Sequence, residues 1–169
     1  MDTAQTVMPL SFASHSPVET RRLGNRIGKL CLAGDVIFLV GSLGAGKTCL
    51  TQGIARGLGI KEYATSSSFI IVREMYGRLP LYHMDLYRLE HSEEIADLGL
   101  DEYLYGNGVC VIEWAEKGIH LLPEEHLLIE ISHISDKERT LTLKPVGERY
   151  EKIQAQMAGI ISNMQSRHK

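Results

Sequence analysis

A chain of 169 residues, 44% hydrophobic and 23% charged, has ordinary globular composition and enough material for one compact domain with its own core. A formal net charge of −3 and a pI near 6.2 exclude a broad basic field that could draw the chain onto a polynucleotide, so no strong direct nucleic-acid binding is expected. The apolar runs are too short for a membrane span, and MDTAQTVMPL carries an acid and no cationic region, so a cytoplasmic protein without membrane contact is expected.

The first readable element is SHSPVETRRLGNRIGKLCLAG, which predicts a helix with Ser16 as N-cap, Pro17 at the first position, Glu19 closing a capping box and Gly34 past the end. Leu23, Ile27 and Leu30 form its packing face, and Arg22, Arg26 and Lys29 its wet face. A strand over 36–40 follows, then a Gly-rich loop, a helix over about 47–58 ending at Gly59, and an irregular stretch to about Phe69. FIIVREMYGRLPLYHMDLYRL predicts two strands joined at Gly77 and Arg78, the second running into Asp85.

Ser92 is expected to cap a short helix with Glu93 and Glu94 in its first turn; Asp101 opens another that Gly106 ends. GVCVIEW is a strand, HLLIEISHI and RTLTLKPV alternate as a hairpin around Asp136 and Lys137, and residues 148–166 form a C-terminal helix with Tyr150, Ile153, Met157, Ile160, Ile161 and Met164 at helical spacing. This order predicts an α/β fold: a mixed, mostly parallel sheet with helices on both faces, then a C-terminal β-hairpin and helix. One domain over residues 1–169 is expected. Cys31, Cys49 and Cys110 have neither zinc nor CxxC spacing and are expected as buried, reduced thiols.

GSLGAGKT, Gly41 to Thr48, matches G-x-x-x-x-G-K-[ST], a pattern that composition would produce by accident in roughly 0.006 chains of this length. Glycines 41, 44 and 46 free the backbone to turn its amides toward a polyanion, and the following helix N-terminus adds partial positive charge. The expected nucleotide contacts are Ser42, Leu43, Gly44, Ala45, Gly46, Lys47 and Thr48, with Lys47 bridging β- and γ-phosphates and Thr48 holding Mg²⁺. ATP and Mg²⁺ are therefore the expected ligands.

Triphosphate hydrolysis further needs a metal-side carboxylate and a group that orients water, both near the C-terminal ends of strands beside the loop. Asp85 ends LPLYHMD and Glu113 ends GVCVIE; both are candidates as catalytic and metal-binding acids, and the sequence leaves open which serves which purpose. His83 shares the strand face of Asp85 and is expected as a satisfied histidine in or near the site, without a catalytic role. Trp114, the one tryptophan, could lie against a base or a partner surface, or pack in the core. Tyr63 to Ile71, YATSSSFII, is a hydroxyl-rich segment where nucleotide switches often lie.

GSLGAGKTCLTQGIARGLG at 41–59, YHMDLYRL at 82–89 and VIEWAEKG at 111–118 together resemble the TsaE (YjeE) family, small bacterial ATPases of tRNA threonylcarbamoyladenosine synthesis, over about residues 10–145. The resemblance implies an ATPase whose phosphate loop is completed by Asp85 and Glu113, with Thr48 on magnesium. It also implies a partner, the transferase heterodimer of TsaD and TsaB. Two departures stand out: the family's S-P-T is Ser66-Ser67-Ser68 here, and its E-W-P-E is Glu113-Trp114-Ala115-Glu116. A small-molecule or nucleoside kinase using Tyr87 and Arg88, and a nonenzymatic nucleotide-gated module, are the alternative functions.

Overall fold

The computed structural model describes residues 7–62 and 71–167. Seven strands form one sheet: β1 Leu10–Ser14, β2 Val36–Val40, β3 Val72–Tyr76, β4 Pro80–Asp85, β5 Val109–Glu113, β6 His126–His133 and β7 Arg139–Val146, in the spatial order β1-β7-β6-β2-β5-β4-β3. The four central strands β6, β2, β5 and β4 run parallel, while β3 at one side and β7 and β1 at the other pair antiparallel. This confirms the α/β reading and confines the parallel pairing to the sheet's middle.

β2 shows why the sheet is covered on both faces. Ile37 and Leu39 enter one core with α1 Pro17–Leu30, α2 Lys47–Gly57 and α5 Glu148–Ser166, whereas Val36 and Phe38 enter a second core with α3 Ser92–Ala96 and α4 Asp101–Leu104. A strand buried on both sides has no reason to alternate, which accounts for the unbroken apolar run VIFLV.

α1 and α2 meet backbone to backbone. A Cβ on Gly24 or Gly28 of α1 would lie 2.4 or 2.3 Å from the Leu50 or Ile54 carbonyl oxygen, and one on Gly53 or Gly57 of α2 would lie 2.2 or 2.3 Å from those of Arg21 or Asn25. Two small-xxx-small pairs therefore set how closely the helix that follows the glycine loop is held.

Several predicted boundaries shift for local reasons. Ser16 does cap α1, accepting from the Glu19 amide, but Glu19 reaches back to the His15 amide at 2.7 Å, one residue before the expected partner. His91, not Ser92, is the N-cap of α3, because Glu94 accepts from the amides of His91 and Glu90. α2 stops at Gly57, two residues before Gly59. The edge strand β1 was not anticipated; its short LSFAS run is committed to a strand by pairing with β7. Two 3-10 turns, Ala115–Lys117 and Ile119–Leu121, also follow β5.

The C-terminal helix is a packing element. Tyr150, Ile153, Met157 and Ile161 bury into the α1 side of the sheet, and Ile160 is partly buried against it. Arg149 clamps Asp35 through Nε and Nη2 at 3.0 and 2.8 Å, while the Tyr150 hydroxyl accepts from the Val36 amide at 2.8 Å. Cys31 and Cys110 are buried free thiols, their pKa values pushed up to about 12 mainly by burial. Cys49 departs from the expectation: it is only half-buried, on the first turns of α2 beside Arg21. No helix among the described residues is long and apolar enough to cross a membrane.

Candidate functional site

The parallel strands all point their C-terminal ends at one edge, where Val40 of β2, Glu113 of β5 and Asp85 of β4 emerge side by side. The chain passes from β5 to β6 across β2, so this edge is the crevice where open α/β sheets place their ligands. The glycine loop leaves β2 here and turns into α2.

Its backbone is held from several sides. Gly41 packs so tightly on β6 that a Cβ would sit 2.6 Å from the Ile131 carbonyl oxygen. Gly46, the N-cap of α2, has φ +111° and brings no side chain, so the first-turn amides of an 11-residue helix are left for a polyanion. Arg139 of β7 donates from Nε to the Ala45 carbonyl at 3.1 Å, steadying the loop across the sheet. Ser42, Leu43 and Gly44 form the exposed rim, and Ala45 is buried beneath it.

Lys47 is folded back into the loop. Its Nζ donates to the Gly41 and Ser42 carbonyls at 2.7 and 2.8 Å and lies 4.2 Å from the centre of the Trp114 ring. Burial lowers its pKa, and the nearby carboxylates of Glu113, Glu116 and Asp85 oppose that shift. Two neutral carbonyls are weak partners for an ammonium group, which a phosphate oxygen would satisfy better.

The two predicted acids come together as neighbours in register, Asp85 opposite Glu113. Glu113 is 3% exposed; one carboxylate oxygen accepts from the Thr48 hydroxyl at 3.2 Å and the other lies 2.6 Å from His83 Nε2. Asp85 is half-buried, accepts the Tyr87 amide through Oδ1 at 3.0 Å, and has its pKa raised chiefly by burial, the Tyr87 bond opposing and Glu113 adding to the rise. Because Thr48 gives its hydrogen to Glu113, its oxygen lone pairs remain available to a cation. No group of three or more His, Cys, Asp and Glu among the described residues could hold a metal unaided. That suits Mg²⁺, which is commonly held by one or two carboxylates together with waters and substrate phosphates.

Trp114 is the one non-glycine residue with positive φ among the described residues, at φ 59° and ψ 36°. This left-handed turn and the 3-10 turn after it redirect the chain without the proline that the sequence lacks at Ala115. The Trp114 ring is half-buried, 4.9 Å from that of Tyr87, and so lies at the site rather than deep in the core. Tyr63 to Ile70, including Ser66 to Ser68, lie outside the described residues.

His83 is the satisfied near-site histidine expected, but its partner, Glu113 diagonally across β4 and β5, had no signal in the sequence. Two further contributors escaped sequence reasoning. Arg139 comes from a distant hairpin strand. Lys117 lies within the quoted VIEWAEKG; its ammonium group donates to the carbonyls of Tyr87 and Leu89, fastening the segment after Asp85.

The family model described as "Threonylcarbamoyl adenosine biosynthesis protein TsaE" matches residues 14–141. The tRNA threonylcarbamoyladenosine biosynthesis protein TsaE of Bacillus subtilis is 47% identical over 143 residues, covering 84% of this chain and 89% of that protein. Its namesake from Treponema pallidum is 45% identical over 130 residues, 77% of this chain and 96% of that protein. The crystal structure of B. subtilis YdiB superposes with a TM-score of 0.77 at 40% identity, covering 96% of this chain and 99% of the other.

Proposed function

The chain belongs to the TsaE family, and on that premise we propose that it serves tRNA threonylcarbamoyladenosine synthesis as an ATPase, binding MgATP at Ser42 to Thr48 and hydrolysing it. The observation that carries this reading is the Thr48 hydroxyl bonded to Glu113 beside a glycine loop whose lysine rests on two carbonyls. Lys47 exchanges those carbonyls for β- and γ-phosphate oxygens. Thr48 and Asp85, whose Oδ2 is not engaged by Tyr87, would hold magnesium with the phosphates, and Glu113 stands beside them; the ion supplies charge neutralisation on the transferring phosphoryl group.

Glu113 orients the attacking water and accepts its proton while the bond from Pγ to the bridging oxygen breaks and ADP departs. Trp114, at the mouth, is the ring available to the nucleotide or to a partner. The partner we assign is the TsaD and TsaB transferase pair, whose docking completes the site, so turnover by the chain alone is slow. The whole chain acts as one ATPase domain.

Calorimetry with MgATP and single-turnover assays with labelled ATP, with and without the transferase subunits, test this. Phosphate released to water, faster with the subunits, is the expected result. Transfer to a small acceptor would instead make the chain a kinase, and binding without either outcome a nucleotide-gated module. Glu113→Gln should keep nucleotide affinity and lose most turnover; equal turnover would remove Glu113 from the chemistry.

A further inference from the structure

We propose that His83 is the positioning residue for Glu113: it pins one carboxylate oxygen so that the other stays aimed at Thr48 and the phosphate loop. The inference rests on the hydrolysis reading above. The contact is 2.6 Å between His83 Nε2 and Glu113 Oε2, and both side chains are about 4% exposed, so it lies away from bulk solvent. With Glu113 in the carboxylate form that the hydrolysis reading requires, Nε2 is the donor in this contact.

The strand geometry makes the contact specific. His83 pairs with Val111 and Asp85 with Glu113, so His83 and Glu113 are diagonal neighbours on one face of adjacent parallel strands, within reach only because both side chains are long. Without a partner on Oε2, a glutamate has rotamer freedom that the opposite contact, 3.2 Å to the Thr48 hydroxyl, restrains weakly. With it, each oxygen has one fixed partner and a second lone pair for a new one. His83 thereby holds Glu113 in the orientation that water activation needs, without touching the nucleotide.

Two measurements on the full chain test this. In the nucleotide-free protein, a long-range ¹H–¹⁵N spectrum should show His83 protonated at Nε2, with that signal moving in Glu113→Gln; an imidazole protonated only at Nδ1 overturns the proposal. In single turnover with the transferase subunits, His83→Phe should slow phosphate release by about tenfold or more while MgATP affinity stays within about twofold, and His83→Gln, which can place a donor near the same point, should recover most of the rate. The decisive comparison is the same substitution in a Glu113→Gln background, where it should change the residual rate by less than about twofold. A full His83→Phe effect in that background would mark a general structural role and refute positioning. A wild type that turns over no faster than His83→Phe refutes positioning alone; a wild type with no turnover at all refutes the hydrolysis reading beneath it.

Discussion

Asp85 and Glu113 end adjacent parallel strands as register partners, which sets two carboxylates side by side at the foot of the glycine loop. The pair differs in environment. Glu113 is buried and engaged through both oxygens, whereas Asp85 is half-exposed, with one oxygen on the Tyr87 amide. Burial raises the Asp85 carboxyl above its ordinary range, the Tyr87 amide opposes that rise and the neighbouring Glu113 charge adds to it.

That shift has a definite sign in stability. An acid pushed up by folding is one that the folded chain prefers protonated, so its cost is absent at low pH and grows as pH rises through the ordinary carboxylate value toward the raised one. Asp85→Asn should therefore raise Tm at neutral pH, with the gain fading as pH falls below the ordinary carboxylate range, while MgATP turnover falls. Thermal unfolding across pH checks this; a gain that persists at low pH would contradict it.

Lys47→Ala should weaken MgATP binding by at least about tenfold, because one charge-assisted contact disappears; isothermal titration checks it. Trp114 supplies a second readout. The Lys47 ammonium sits against its ring, so nucleotide binding that draws Lys47 away should alter tryptophan emission in the wild type and not in the variant.

Gly53→Ala should destabilise the protein by about 2 kcal/mol or more, despite alanine's better helix propensity, because the new methyl meets the Arg21 carbonyl at 2.2 Å. Urea denaturation measures it. Since α2 begins at the glycine loop, the proposed MgATP affinity should fall as well.

Arg149→Met should cost about 2 kcal/mol by leaving the buried Asp35 carboxylate with only the Leu32 amide as partner. Adding Asp35→Asn should recover much of that loss, since the stranded charge is gone. Recovery absent from the double variant would mean that Arg149 acts through its own packing.

The glycine loop was legible because its pattern is local: glycines, a lysine and a threonine at fixed spacing between a strand and a helix need no distant residue to be recognised. Asp85 and Glu113 were legible as strand-ending acids for the same reason, each closing an apolar run. α1 and α5 followed from periodicity, since their apolar faces repeat at helical spacing. β1 did not, as five residues that include two serines carry little strand preference until β7 pairs with them.

By itself, then, the order of residues determined that a glycine-rich loop lies between a buried strand and a helix, with two acids at strand ends, because those signals depend on neighbours along the chain. Tertiary structure alone decided which side chains share the pocket: that Glu113 reaches Thr48 and His83, that Arg139 braces the loop from the far hairpin, and that Lys47 lies against Trp114. Those contacts depend on which strand pairs with which and in what register, and a shift of one residue would turn Glu113, His83 or Arg139 to the other face of the sheet.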